Sequence, residues 1–358
     1  MEKKTVSKIK SVVSVLNSKD TLVINKNDDN YVIFTLDSKL SIEYNDLYHR
    51  DTTDKNGFYT ILVKDFKKLI SDDFFCNLTA YASYSEENYG YENILESVQN
   101  NTLGYEGNVV VSYQDIHSCY TLFREDNGIG QYMYFINGTV YATNGHFIIK
   151  NKAVANIDTD VTLYKDICTF IEKLKKSVLI SYGKVVKDNS RSYGTEYNVI
   201  HMSVDLGDIT VRYTDASLDK EKEKGFKKML STYDCNVNYN AIKVDRKELL
   251  QAVKNLKSLH PLGHAKIVVK DRCLSLFDLK PLHTLGGRLE PLNEQKVTSL
   301  NTCDSDFYGY FHIAYLEKLI KNIENDTLYI NEKILGDYAM SFTLHDNDFI
   351  AYLMGVRM

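Results

Sequence analysis

Five segments of this 358-residue chain place apolar side chains at i, i+3, i+4 and i+7, the spacing that gathers them on one face of an α-helix. They are Ile9-Val12-Val13-Leu16, Ile116-Cys119-Tyr120-Phe123, Ile167-Phe170-Ile171-Leu174, Leu249-Ala252-Val253-Leu256 and Leu316-Leu319-Ile320-Ile323, with Phe66-Leu69-Ile70 as a shorter sixth. A helix with one apolar stripe must bury it against another layer, so each implies a sheet or a second helix beside it. Asp245, three residues before Glu248, reads as a capping pair that starts one of these helices.

Between the helices lie short runs rich in Val, Ile, Tyr and Phe, at 21–25, 31–36, 39–44, 178–182, 209–213, 265–269 and 339–344. Such runs, broken by Asn, Asp and Gly, predict strands. Asn137-Gly138 between two of them predicts a tight hairpin. Taking the helices two by two gives a threefold repeat of α+β domains, with expected boundaries 1–105, 106–237 and 238–358. The polar segments 86–101 and 187–198 are expected to be loops.

Hydrophobic residues make up 44% and charged residues 25%, which excludes a disordered or fibrous chain. No stretch approaches 18 apolar residues, and Met-Glu-Lys-Lys-Thr leads into no apolar segment, so a cytoplasmic protein without a membrane partner is expected. The cysteines, at 76, 119, 168, 235, 273 and 303, contain no C-x-x-C pair and match no metal-ligand spacing. They are expected to be reduced thiols, with no metal and no cofactor.

The net charge of −5 argues against a phosphate partner until it is resolved by segment. Segments 2–19, 63–71, 112–124, 164–176, 245–258 and 312–324 hold 19 Lys and Arg against 9 Asp and Glu, a net +10. The remainder holds 24 against 39, a net −15. Basic helices over an acidic remainder suit faces that converge on a phosphate backbone. The candidate contacts are Lys4, Lys8, Lys64, Lys67, Lys68, Lys165, Lys173, Lys176, Arg246, Lys247, Lys254, Lys257, Lys318 and Lys321. For any one helix alone, solvated lysines on an outer face explain the pattern equally well; the repetition favours DNA.

Signals for catalysis are weak. His146 follows Asn144-Gly145 at a turn, but no nucleophile or carboxylate motif accompanies it. Gly128-Ile129-Gly130 and Gly286-Gly287 are too short for a phosphate loop. His260 and His264 have helical metal-pair spacing, but Pro261 and Gly263 between them predict a solvated turn. The 27 tyrosines are spread evenly and form no stacking platform for single strands.

Several strings resemble the bacterial DNA polymerase III beta subunit, the sliding clamp. Tyr141-Ala142-Thr143-Asn144-Gly145-His146 resembles that family's A-T-D-G-H-R-L, and the last eight residues, 351–358, resemble Y-V-V-M-P-M-R-L. Residues 311–316 are similar to F-N-V-S-Y-L, 44–47 to G-T-D-L and 224–230 to F-P-D-Y-R-R-V-L. Each is weak alone; five in the family's order are specific.

The resemblance implies three α+β clamp domains per chain, two helices and antiparallel sheets in each. Two chains would close head to tail into a ring that encircles double-stranded DNA and performs no chemistry. It implies as partners the replicative DNA polymerase, a clamp loader and other proteins carrying a clamp-binding peptide. The peptide pocket would take Thr143, Gly145, His146, Phe147 and Ile148 on one wall, with Lys228 and Met229 below. His312, Tyr315, Ala339, Ser341, Tyr352, Met354, Gly355, Val356, Arg357 and Met358 would form the other. Asn144, Phe147 and Gly355 depart from the family's Asp, Arg and Pro, and Leu256 and Leu259 are the candidates for the last domain's side of the ring contact. The alternative to a DNA clamp is a clamp-fold peptide-binding adaptor or decoy that does not encircle DNA.

Overall fold

The computed structural model describes residues 3–37, 39–45, 54–71, 78–85, 90–99, 105–123, 131–153, 160–187, 195–216, 220–233, 241–259, 263–270, 273–280, 290–300, 307–335, 339–345 and 349–354. The chain opens with α1 (Lys3–Val13), followed by β1 (Thr21–Asn27), β2 (Asn30–Thr35) and β3 (Leu40–Asn45). β4 (Gly57–Leu62) leads into α2 (Val63–Leu69), a 3-10 turn at Leu78–Ala80, β5 (Ser83–Ser85) and α3 (Tyr91–Gln99). β6 (Tyr105–Val111) leads into α4 (Tyr113–Phe123), β7 (Tyr132–Ile136), β8 (Thr139–Thr143) and β9 (Phe147–Lys152). β10 (Val161–Tyr164) leads into α5 (Lys165–Leu174), β11 (Val178–Lys187), β12 (Thr195–Asp205) and β13 (Ile209–Ala216). After α6 (Lys220–Tyr233), β14 (Ile242–Asp245) leads into α7 (Arg246–Leu259), β15 (His264–Lys270), β16 (Cys273–Lys280) and β17 (Glu290–Thr298). β18 (Phe307–His312) leads into α8 (Ile313–Asn322), β19 (Thr327–Leu335), β20 (Ala339–His345) and β21 (Phe349–Met354).

One module recurs in this order: a strand, a helix and a three-stranded antiparallel meander. Five helices, α1, α4, α5, α7 and α8, are each followed by a complete meander. After α2 the described residues hold only β5, which pairs with β4, and α3.

The chain forms two compact units. The first combines residues 1–117 and 154–219 and holds a nine-stranded sheet in the order β5-β4-β1-β2-β3-β13-β12-β11-β6. α1 buries Ile9, Val12 and Val13, and α5 buries Ile167, Phe170 and Ile171; the two helices pack together. β2 is buried on both faces, because Val23, Val32 and Phe34, on the face away from Leu22, Ile24 and Ile33, are covered by Tyr91, Ile94 and Leu95 of α3.

The second unit combines residues 118–153 and 220–358. Seven of its strands run in the order β7-β8-β9-β21-β20-β19-β14, and four form a separate sheet, β17-β16-β15-β18. α7 and α8 pack on each other, and they bury Leu249, Ala252, Val253, Leu256, Leu316, Leu319 and Ile320, residues of the helical stripes.

The strand and hairpin expectations hold. Asn137 and Gly138 adopt φ of 49° and 69°, the left-handed pair that a tight hairpin needs. The Asp245 carboxylate accepts the Glu248 N–H at 2.8 Å, which satisfies an orphan donor of α7. Other expectations fail. Residues 91–99 form α3 rather than a loop, because Tyr91, Ile94 and Leu95 lie on one helical face above an apolar sheet. β12 begins at Thr195, inside the expected loop 187–198. His264 lies in β15, half-buried, rather than in a solvated turn. Leu256 is only 1% exposed and belongs to the core, whereas Leu259 is 50% exposed. Cys119, Cys168 and Cys273 are free thiols, and Cys76, Cys235 and Cys303 lie outside the described residues.

Candidate functional site

The β8–β9 turn is held by its own side chains. Thr143, fully buried, donates its hydroxyl to the Phe147 carbonyl at 2.6 Å and accepts the Gly145 N–H at 3.1 Å. The Asn144 carbonyl oxygen accepts the N–H groups of His146 at 2.9 Å and Phe147 at 3.2 Å. Gly145 takes φ of 86°, which a side chain would strain. Asn144 acts on these two amides only as an acceptor, a role an aspartate would also fill.

This turn presents His146 to α8. Tyr315, in the first turn of α8, is met by three rings. His146 stacks on it with centroids 4.7 Å apart, Phe147 meets it at 5.8 Å edge-on, and His312 lies at 4.8 Å. His264 faces His312 across the β15–β18 ladder, 5.4 Å away. His312 is also the N-cap of α8, and its Nδ1 accepts the Ala314 N–H at 3.3 Å. Phe147 is fully buried, so the residue that stands where the family pattern has Arg packs inward.

α6 forms the adjoining element. Phe226 lies face to face on Tyr134 of β7 with ring centroids 3.6 Å apart, and edge-on to Tyr141 of β8 at 6.4 Å. Among its described side chains Phe226 and Leu230, one turn apart, are buried; Lys228 is exposed and Met229 half-buried. Burial pushes the Tyr134 hydroxyl pKa well above its ordinary value. Ile148 and Phe147 pair with Tyr352 and Leu353 of β21, which brings the penultimate described strand residues beside the turn. Ser341 and Met354 are register partners, and Ala339 opens β20. Gly355, Val356, Arg357 and Met358 lie outside the described residues.

The lysines assigned to the helices divide in two. Lys64, Lys67, Lys176 and Lys254 make no ion pair among the described residues; Lys64, Lys176 and Lys254 are exposed. Others are tied down. Lys8 donates to the Leu206 carbonyl and to Asp208, both at 2.5 Å, in the turn between β12 and β13. Lys173 donates to Ser14 at 2.6 Å and links α5 to α1. Lys68 pairs with Asp65 at 3.0 Å and Lys247 with Asp326 at 3.4 Å. Lys257 and Lys321, at 2.5 Å, both pair with Glu317, whose side chain is 8% exposed. Hydrogen bonds from Lys257 and then Lys321 hold the Glu317 carboxyl below the usual carboxylate range. Lys165, Lys318 and Arg246 are half-buried, the Arg246 Nε having no partner among the described residues, and Lys4 lies in α1.

No protein-family model matches the sequence, and no curated protein matches it. Solved structures do. The beta subunit of DNA polymerase from Streptococcus pyogenes superposes with a TM-score of 0.64 at 11% identity, covering 99% of this chain and 98% of that one. A Helicobacter pylori beta clamp bound to a DNA ligase peptide gives 0.63 at 9% identity, over 100% and 99%. The DNA polymerase sliding clamp of Pseudomonas aeruginosa gives 0.60 at 11%, over 99% and 97%. This chain has the sliding-clamp fold.

Within the clamp fold, sequence reasoning missed Glu317, His264 and Phe226. Glu317 was legible as the i, i+4 partner of Lys321, and Phe226 as the i, i+4 partner of Leu230. His264 drew notice only for its spacing from His260; its partner His312 is met through the sheet ladder, which no local pattern shows.

Proposed function

We propose that this protein is a DNA sliding clamp, a non-catalytic processivity factor of three domains, 1–105, 106–237 and 238–358. It encircles duplex DNA and tethers the replicative polymerase and other partners by a peptide site. The carrying observation is the clamp fold along 99% of the chain. The net +10 of the helical segments against −15 elsewhere supports contact with phosphates weak enough to slide. The Tyr315 ring cluster, whose His146 and Phe147 follow the turn into the strand that pairs with β21, supports a site for an apolar peptide anchor. The neighbour solved with a DNA ligase peptide supports the same mode. A clamp loader, cytoplasmic location and head-to-tail pairing of two chains complete the expectation from the resemblance.

Retention on DNA decides the reading. A topologically linked clamp stays on closed circular DNA and is lost when the circle is cut; equal behaviour on both forms refutes it. A clamp-fold peptide adaptor that does not encircle DNA is the second reading, favoured by the neutralised Lys8, Lys257 and Lys321. Anisotropy of a labelled clamp-binding peptide of the Gln-x-x-Leu-Phe type, with intact chain and with a chain lacking residues 354–358, tests the pocket under either reading.

A further inference from the structure

One face of the four-stranded sheet carries side chains that belong neither to the basic helices nor to the Tyr315 cluster. Along β18 Gly309 and Phe311 are buried, so Tyr308, Tyr310 and His312 point to the opposite, open face. β15 alternates in the same way: Ala265, Ile267 and Val269 are buried, and His264, Lys266 and Val268 face outward. The register sets His264 opposite His312 and Lys266 opposite Tyr310. His312 also meets Tyr315. The row of Tyr310 and Tyr308 therefore begins where the ring cluster ends.

Lys266 is half-buried in this row. Its Nζ lies 4.9 Å from the Tyr308 ring centroid and 5.8 Å from that of Tyr310. The two rings stand 6.3 Å apart at 81°, and attraction to both holds an otherwise flexible ammonium in one place. No carboxylate answers its charge: Lys266 makes no ion pair among the described residues. The acidic residue in its register row, Glu294, lies beyond Phe277 of β16. Glu294 is also engaged already, by Ser275 at 2.8 Å and by Lys296 at 4.0 Å.

We propose that Tyr308, Tyr310 and Lys266 extend the peptide site and receive a carboxylate-bearing residue in the flank of the bound partner peptide. The extension rests on the reading of the Tyr315 cluster as a peptide site. From His312 to Tyr308 the strand rises about 13 Å, so an extended flank of about four residues spans the strip. A carboxylate placed there makes a charge-assisted hydrogen bond to an ammonium that is already positioned, with little further ordering cost. Tyr308, 49% exposed, offers its ring to the neighbouring flank residues. A nucleic-acid strand suits the strip less, because each nucleotide brings a phosphate and the outward residues of β15 and β18 from His312 to Tyr308 include one lysine.

Anisotropy of labelled peptides tests the extension. The Gln-x-x-Leu-Phe core is compared with the same core carrying a short Asp/Glu flank or the matching Asn/Gln flank, placed on either side. For one of the two placements the acidic flank should bind the intact chain about fivefold tighter than the amide flank, the scale of a partly exposed ion pair. In Lys266→Met that preference should vanish, in Lys266→Arg it should persist, and in Tyr308→Ala, which removes a ring that holds the ammonium, it should shrink. Each preference is a ratio within one variant, and equal thermal unfolding confirms the folds. Core binding without any acidic preference, or a preference that Lys266→Met leaves intact, would overturn the extension alone. No binding of the core by the intact chain would overturn the peptide site and the extension with it. An oligothymidine that loses affinity in Lys266→Met, while the flanked peptides bind alike, would assign the strip to nucleic acid and overturn the proposal.

Discussion

Phe226→Ala is the most informative single change, because one ring holds α6 on the sheet. The side chain is 2% exposed and lies 3.6 Å from the parallel ring of Tyr134. Removing it loses about 2–3 kcal/mol of apolar transfer and about 0.5–1.5 kcal/mol from the aromatic pair. Among the described side chains of α6, Leu230 is the other buried one, and the Lys227–Glu223 pair at 2.8 Å lies within α6 itself. The loss, about 3–4 kcal/mol, therefore falls on local docking and not on the whole unit. Hydrogen exchange of residues 220–233, followed by mass spectrometry, should show protection falling about 10²–10³-fold while β7 and β8 keep theirs. Peptide affinity should fall with it, because Lys228 and Met229 are carried by this helix. Phe226→Leu should recover more than half of the protection. Unchanged protection over 220–233, or a loss spread evenly over the second unit, would refute the argument that this stack alone seats α6.

Three further outcomes follow from the geometry. Asn144→Ala should destabilise the β8–β9 turn by about 1–3 kcal/mol, since two amides lose their acceptor, whereas Asn144→Asp should cost less than 1 kcal/mol; urea melts of both variants check it. Glu317→Gln should cost about 1 kcal/mol at pH 7, limited by the exposure of both ammonium groups to screening. The folded Glu317 titrates below its ordinary value of 4.5, so that stability is present in full above 4.5 and disappears as pH falls through the folded value. Urea melts of both proteins should converge in acid. Tyr315→Ala should weaken clamp-peptide binding at least about tenfold, the scale of a buried aromatic anchor, while Tyr315→Phe keeps the ring contacts and the affinity; equal binding by Tyr315→Ala in the anisotropy assay would remove the ring cluster from the site.

Where the physics is local, the sequence was sufficient. The stripes at Ile167-Phe170-Ile171 and Leu249-Ala252-Val253 are the faces α5 and α7 bury, because a 3.6-residue period admits one buried side. Asn137-Gly138 and Asp245-Glu248 act through bonds within four residues, and both were readable. α3 escaped although Tyr91, Ile94, Leu95 and Val98 keep the i, i+3, i+4, i+7 spacing, because the surrounding segment is polar; that Val23, Val32 and Phe34 need a cover is visible only in the sheet.

The sequence by itself determined the repeat, the helix stripes, the segregation of charge and the turn that carries His146. Those are properties of neighbouring residues. The tertiary structure decided which lysines remain free, since Lys8 meets Asp208 and Lys257 meets Glu317 across 200 and 60 residues. It also decided that Tyr315 gathers His146, Phe147 and His312. Strand order and long-range pairing are set by which sheets close on which, and no periodicity within a segment encodes that choice.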